Sequence, residues 1–319
     1  MPNYTVVAID TGNKNIKVPH AEPFTSGLIK HGPSAPPVSA ETLKLDGNYF
    51  SLTETRIPAM FDKTKTEDFY ILTLFGIARE LLASSGAKDQ KYLRRDICLA
   101  TGLPPTHLQE LKEKYVAYFG RSGKRVCFEY NDVTFDIRIG RVEVFPQGYA
   151  AMVPYLGETK NKARSYIIDI GGYTTDVIKL KRGGEPDLEF CESFNTGIIK
   201  LFDKIERTVR NSFRVELDDY MVDSILRGQM QGAAAIQKAA KQVRREFAST
   251  LIHSLAEKGV DLTLSYPVFI GGGASLLKED IITQLECDEY KFVDDVRANA
   301  QGYELLAKAK LIRESRSEG

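Results

Sequence analysis

Cysteine is scarce and scattered in this chain of 319 residues: Cys98, Cys127, Cys191 and Cys287 lie far apart, and no two form a CxxC pair. That spacing argues against a disulfide framework or a thiolate metal site, and it leaves a reducing compartment as the expectation. Net charge is missing too, since Lys+Arg and Asp+Glu both count 43. A balanced chain has no long-range pull toward nucleic acid or an anionic membrane, so neither is expected as a direct partner. No apolar run approaches the ~20 residues that span a bilayer. The opening MPNYTVVAID has no basic stretch ahead of an apolar core, as a secretory leader would. Two common nucleotide signatures are also absent. The chain contains neither G-x-G-x-x-G nor G-x-x-x-x-G-K-[ST], and the nearest approach, Gly120–Lys124, has the wrong spacing. No fixed-period repeat or low-complexity segment appears. A soluble, cytoplasmic protein is expected, long enough for two domains or one large one.

What is present alternates between strand and helix. Tyr4–Ile9 is a β-branched run that reads as a strand. The proline-rich stretch from His20 to Ala40 reads as irregular, exposed loop. Thr42–Leu45 and Asn48–Leu52 flank Asp46-Gly47, a two-residue hairpin signal, and Val126–Tyr130 and Val133–Ile139 flank Asn131-Asp132 in the same way. Apolar residues at helical spacing (Phe69, Leu72, Phe75, Ile77, Leu81) predict a helix from about Thr66 to Ser85. Asp96–Thr101 reads as a strand, residues 106–119 as a helix, and Val142–Phe145 as a further strand stopped by Pro146. Helices fit 197–213, 217–227 and 234–258, and Val268–Ile270 is a last strand. The interleaving predicts an α/β fold whose hairpins make its sheets mixed.

Three stretches carry chemistry. In SYIIDIGGYTTDVIKL, residues 165–180, Asp169 and Gly171-Gly172 interrupt the best strand-forming run of the chain. VVAIDTGNKNIKV, residues 6–18, repeats the grammar: apolar strand, Asp10, Gly12, small polar residues, then Ile16 and Val18. A glycine-containing bend exposes backbone N–H groups to a phosphate oxygen. A carboxylate beside it repels phosphate directly but holds Mg²⁺, usually through water. Either bend alone is as well read as an ordinary β-turn using Asp and Gly for turn chemistry; two matching bends favour a polyphosphate clamp. The third stretch, YPVFIGGGASLLKED at 266–280, is a strand, a triple-glycine turn and a helix start, which aims helix N–H groups outward.

Taken in order, these segments resemble the actin-fold ATPases, the superfamily of actin, the heat-shock chaperone ATPase domain and the sugar kinases. The nearest likeness is to the plasmid-segregation actins of the ParM/StbA type. IDTGNKNIKV resembles their first phosphate loop, VEVFPQGYAAMV the first connecting segment, and IIDIGGYTTDV the second phosphate loop. FNTGIIKLFDKI resembles the second connecting segment, VFIGGGASLL the adenosine loop, and ANAQGYELLAKA the final helix.

The resemblance implies an actin-like fold of two lobes, each a mixed sheet flanked by helices, with the nucleotide in the cleft between them. The lobes would be about 1–152 and 153–299, with a small variable subdomain at about 20–65 and the helix of about 300–313 returning to the first lobe. It also implies roles. Asp10 and Asp169 would organise Mg²⁺, while Gly12, Asn13, Lys14 and Asn15, with Gly171, Gly172, Tyr173 and Thr174, would wrap the phosphates. Lys17 would neutralise phosphate charge; a solvated lysine on a strand is the competing reading. Gln147 would position the attacking water, where ParM more often carries Glu; a plain helix-start residue after Pro146 is its alternative. Gly197, in the second connecting segment, would also bind the nucleotide, and Gly272, Gly273 and Ala274 would face adenine and ribose. Asp223 and Arg227 are candidates for the ribose, with a solvated helix face the better reading. The implied ligand is Mg-ATP, with GTP open. The implied function is ATP-driven assembly into head-to-tail filaments that segregate plasmid DNA through an adaptor protein bound to a centromere-like site. A small-molecule kinase of the same fold and a non-segregating cytoskeletal actin homologue stand as alternatives; a membrane-tethering relative is disfavoured by the polar end LIRESRSEG.

Overall fold

The computed structural model describes residues 4–36, 41–84, 90–230 and 234–317. The chain divides into two compact units, one formed by Met1–Ala151 with Arg297–Gly319 and the other by Met152–Val296.

The first unit is built on a seven-stranded mixed sheet and a three-stranded one. Its elements are β1 (Thr5–Ala8), β2 (Asp10–Thr11), β3 (Asn15–Lys17), β4 (Phe24–Thr25), β5 (Leu28–Gly32), β6 (Thr42–Leu45), β7 (Asn48–Leu52), α1 (Asp68–Ser84), β8 (Tyr92–Leu103), α2 (Leu108–Gly120), β9 (Arg125–Tyr130), β10 (Val133–Pro146) and α3 (Tyr149–Met152). The large sheet runs β1-β8-β10-β9-β6-β7-β5, and β2-β3-β4 make the small one. β1, β8 and β10 are parallel, while the remaining pairs are antiparallel. Both expected hairpins form: Asp46 and Gly47 take φ of 49° and 76°, Asn131 and Asp132 44° and 65°. Positive φ at both central residues twists a two-residue turn to match the strands it joins.

Two expectations need correction. The stretch from His20 is not all loop, because β4 and β5 lie within it; residues 37–40 fall outside the described residues. Nor is Val142–Phe145 a separate strand. It continues β10, whose register against β8 shifts between Ile139 and Arg141. Gly140 marks a bulge there rather than a break.

α1 buries nearly its whole circumference, from Phe69 to Leu81, as its all-round apolar sequence requires. The C-terminal helix (Ala298–Ser317) packs on β1 and β8, where Ala8, Ala100, Ala150 and Ala307 cluster round the buried Tyr303. Small residues let helix and sheet approach: a Cβ at Gly102 would lie 2.0 Å from Tyr303 Oη. At the far end of the helix, Glu314 accepts from both terminal guanidinium nitrogens of Arg141, at 2.5 and 2.8 Å.

The second unit opens with a 3₁₀ turn, Val153–Tyr155, and one helical turn, α4 (Leu156–Thr159), and holds a five-stranded sheet in the order β13-β12-β11-β14-β15. These strands are β11 (Ser165–Ile170), β12 (Thr175–Leu180), β13 (Pro186–Phe194), β14 (Tyr266–Ile270) and β15 (Lys291–Val293). Every residue of β11 is buried, which explains its nearly continuous apolar run and makes its one carboxylate conspicuous. Helices α5 (Ile198–Phe213), α6 (Asp219–Leu226), α7 (Ala234–Glu257) and α8 (Gly272–Ile282) supply the rest of the core. Ile198, Leu201, Phe202, Ile205 and Val209 place one apolar stripe of α5 in that core with Ile168 and Val177. Asp218 caps α6, accepting from Met221 N at 2.7 Å.

Candidate functional site

In the first unit the loop Gly12–Lys14 joins β2 to β3, with Asp10 and Lys17 directly opposite each other. Asp10 is buried, and Lys17 Nζ donates to its Oδ2 at 2.8 Å. Gln147 Nε2 donates to the other oxygen, Oδ1, at 3.3 Å. Thus Asp10 and Lys17, seven residues apart, and Gln147, 137 residues beyond Asp10, form one polar group at the foot of the loop. The loop itself is stitched down: Ser26 Oγ donates to the Gly12 carbonyl at 2.7 Å, Ser26 N to the Lys14 carbonyl at 2.9 Å, and Met60 N to Asn13 Oδ1 at 3.1 Å.

The placement of Gln147 is backbone work. Its own N–H donates to the Leu103 carbonyl at 2.9 Å, at the end of β8, and Gly148 N donates to Asn299 Oδ1 at 2.8 Å, at the start of the C-terminal helix. A residue held from both sides in this way is suited to aim a side chain. Sequence reading missed a second lysine in the group. Lys63 is buried, and its ammonium donates to the Thr11 carbonyl. It lies 52 residues beyond Thr11, with no local pattern to connect them.

The second unit repeats the construction. Gly171–Thr174 joins β11 to β12, and Gly171 N donates to the Thr174 carbonyl at 2.9 Å. The start of α5 is sewn to this loop by three bonds, from Gly197 N to Tyr173 O at 3.0 Å and from Ile198 N and Ile199 N to Gly171 O and Gly172 O at 2.9 Å each. A Cβ on Gly197 would fall 2.3 Å from the Tyr173 carbonyl carbon, so only glycine fits there. Asp169 pairs across the ladder with Asp176, and both are buried. Burial, with the Asp169 charge as a further push, raises the Asp176 carboxyl to about 7, against hydrogen bonds from Ser193 Oγ (2.6 Å) and Thr174 Oγ1 (3.0 Å). Asp176 was also missed, although its signal was legible: residues 169 and 176 are symmetric about the loop.

The triple glycine lies against the end of β11. Gly271 has φ 93°, and a Cβ there would meet Asp169 Oδ1 at 2.6 Å; one on Gly273 would meet Ile170 Cγ2 at 2.4 Å. Those two glycines are required by the fold. Gly272 is different, because a Cβ there would meet nothing within 4 Å. Ala274 is buried beneath the turn. Asp223 and Arg227, by contrast, bond to each other along α6, Nε to Oδ2 at 2.5 Å, in a half-exposed i,i+4 pair. That is the solvated-face arrangement.

The donor sets fit magnesium unequally. Asp169 and Asp176 put two buried carboxylates face to face, an oxygen-rich pair suited to a hard cation. Asp10 is already neutralised by Lys17, which leaves it suited to accepting from a metal's water shell rather than to direct ligation. Among the described residues, no helix is long and apolar enough to cross a membrane.

Residues 45–149 match the family described as the N-terminal domain of actin-like proteins, and residues 167–283 match the C-terminal domain of the archaeal actin homologue MreB-like family. No curated protein sequence matches the chain. Solved structures do. The archaeal actin homologue Ta0583 in complex with ADP is 18% identical, with a TM-score of 0.75 over 96% of this chain and 99% of its own. A ParM from a 15-stranded filament of Clostridium botulinum is 17% identical, with a TM-score of 0.76 over 96% of this chain and 99% of its own. The actin-like protein Alp7A is 15% identical, with a TM-score of 0.74 over 98% of each chain. The fold is actin-like, and each of the two units carries a match to one domain of the actin-like families.

Proposed function

We propose that this protein is an ATPase that polymerises head to tail on binding Mg-ATP and disassembles after hydrolysis, segregating plasmid DNA through an adaptor. The observation that carries the nucleotide reading is the twice-built hairpin: in each unit a buried aspartate sits at the foot of a glycine-bearing loop whose backbone is pinned from behind. In this reading the loops Gly12–Asn15 and Gly171–Thr174 wrap the phosphates with backbone N–H groups, other than that of Gly171, which is given to the Thr174 carbonyl, and Lys17 offsets the phosphate charge. Gly272 leaves open surface for adenine or ribose, with Gly273 and Ala274 beneath. Bound Mg²⁺, held by Asp169 and through water by Asp10, would supply charge neutralisation on the phosphates. Gln147, fixed by Leu103 and Asp10, would hold the attacking water by accepting its proton-bearing edge, without acting as a strong base. The ADP bound by Ta0583 and the filament formed by the Clostridium botulinum ParM support the reading.

Each subunit contact need change by only ~1–3 kcal/mol on loss of the γ-phosphate to move the critical concentration several-fold or more. Light scattering with Mg-ATP, Mg-ADP and a slowly hydrolysed analogue tests this. Scattering should rise with ATP and decay as it is consumed, persist with the analogue, and stay low with ADP. A protein that stays monomeric with every nucleotide, yet phosphorylates a small metabolite, would be a kinase instead.

A further inference from the structure

Lys63 is a buried cation that the reading above leaves without work. It opens a single 3₁₀ turn, Lys63–Lys65, and the carboxylate next to it is occupied: Asp62 Oδ1 accepts from Thr64 N at 3.0 Å and from Thr64 Oγ1 at 2.6 Å. The residue is only 7% exposed. Its ammonium donates to the Thr11 carbonyl and lies 5.1 Å from the centre of the Phe69 ring. An ammonium carries three donors, and Thr11 takes one. Burial depresses its pKa to about 8, with Asp10 opposing that shift and Lys17 adding to it. The Asp10 carboxylate, which Lys17 holds at 2.8 Å, acts to keep Lys63 charged, and the Lys17 ammonium acts against it. A cation kept out of water is costly unless an anion completes the group. Thr11 immediately precedes Gly12, so the ammonium is anchored at the root of that loop.

We propose that Lys63 is a second phosphate-binding cation of the first loop, acting beside Lys17 on the nucleotide's phosphates. The proposal rests on the nucleotide reading of this loop. It explains why a lysine, rather than an apolar residue, fills a buried position against Phe69.

The test is calorimetric titration of Mg-ATP into wild type and Lys63→Met at 50 and 200 mM salt, with circular dichroism to confirm folding. At low salt Lys63→Met should bind at least about tenfold more weakly, and the gap should narrow at high salt, because a lost ion pair is the part that salt screens. A merely structural role would give a gap that salt does not move, and equal affinities would also overturn the proposal. Should Lys63→Met not fold, Lys63→Gln, which keeps a donor for the Thr11 carbonyl, is measured in the same way and judged by the same outcomes. Wild type that binds no nucleotide would sink the nucleotide reading itself. Wild type that binds, with variants unchanged, sinks only the role of Lys63.

Discussion

Gly272→Ala should leave the fold intact and weaken nucleotide binding, whereas Gly273→Ala should damage the fold. The two residues are neighbours in one turn, and the difference comes from what a methyl group would meet. At Gly272 it meets nothing within 4 Å. Alanine also suits a helix better than glycine by up to about 1 kcal/mol, so the melting temperature should hold or rise slightly. At Gly273 the methyl would lie 2.4 Å from Ile170 Cγ2 and 2.8 Å from the Ile170 carbonyl oxygen. Ile170 is fully buried and its carbonyl belongs to β11, so neither gives way readily, and overpacking of this kind costs about 1–3 kcal/mol. If adenine or ribose rests on Gly272, the added methyl forces it outward. A loss of about 1–2 kcal/mol corresponds to a roughly fivefold to thirtyfold rise in Kd for ADP. Thermal melts and ADP titrations of both variants decide the matter. Unchanged ADP affinity in a folded Gly272→Ala protein would show that the open space is not the ligand's, and equal destabilisation by both variants would refute the argument from space.

Gln147→Ala should slow ATP hydrolysis by roughly tenfold to a hundredfold while sparing ATP binding, since water positioning counts in the transition state; loss of binding, or normal turnover, would contradict the role. For Asp176, the folded carboxyl titrates at about 7 and the ordinary value is 3.8. Between those values the folded chain keeps a proton that the unfolded chain has lost. Stability from this group is thus fully present below about pH 4 and is lost as pH rises through about 7. Asp176→Asn should abolish that fall, worth up to about 4 kcal/mol, in melts run in magnesium-free buffer; identical pH dependence in both proteins would refute a raised carboxyl.

Much of this molecule was legible because its signals are local. Asp46-Gly47 and Asn131-Asp132 each set a turn whose backbone few other residue pairs adopt, and both hairpins stand where those pairs lie. The all-buried β11 announced itself through an apolar run, which is why Asp169 within it stood out. Helical spacing placed α1, α5 and α7 to within a few residues. Local signals failed where the deciding contact was remote. Gly140 looked like the end of a strand, but pairing with β8 carries β10 through it. The proline-rich stretch looked irregular, yet β5 is held by its partner β7. The chain's own order could quote a glycine triplet but not say which members the fold requires, since Ile170 and Asp169 make that choice in space. Lys63 shows the limit most clearly. In sequence it is one lysine among 43 basic residues. Only packing removes it from water, sets it against the Thr11 carbonyl and Phe69, and gives its charge a consequence.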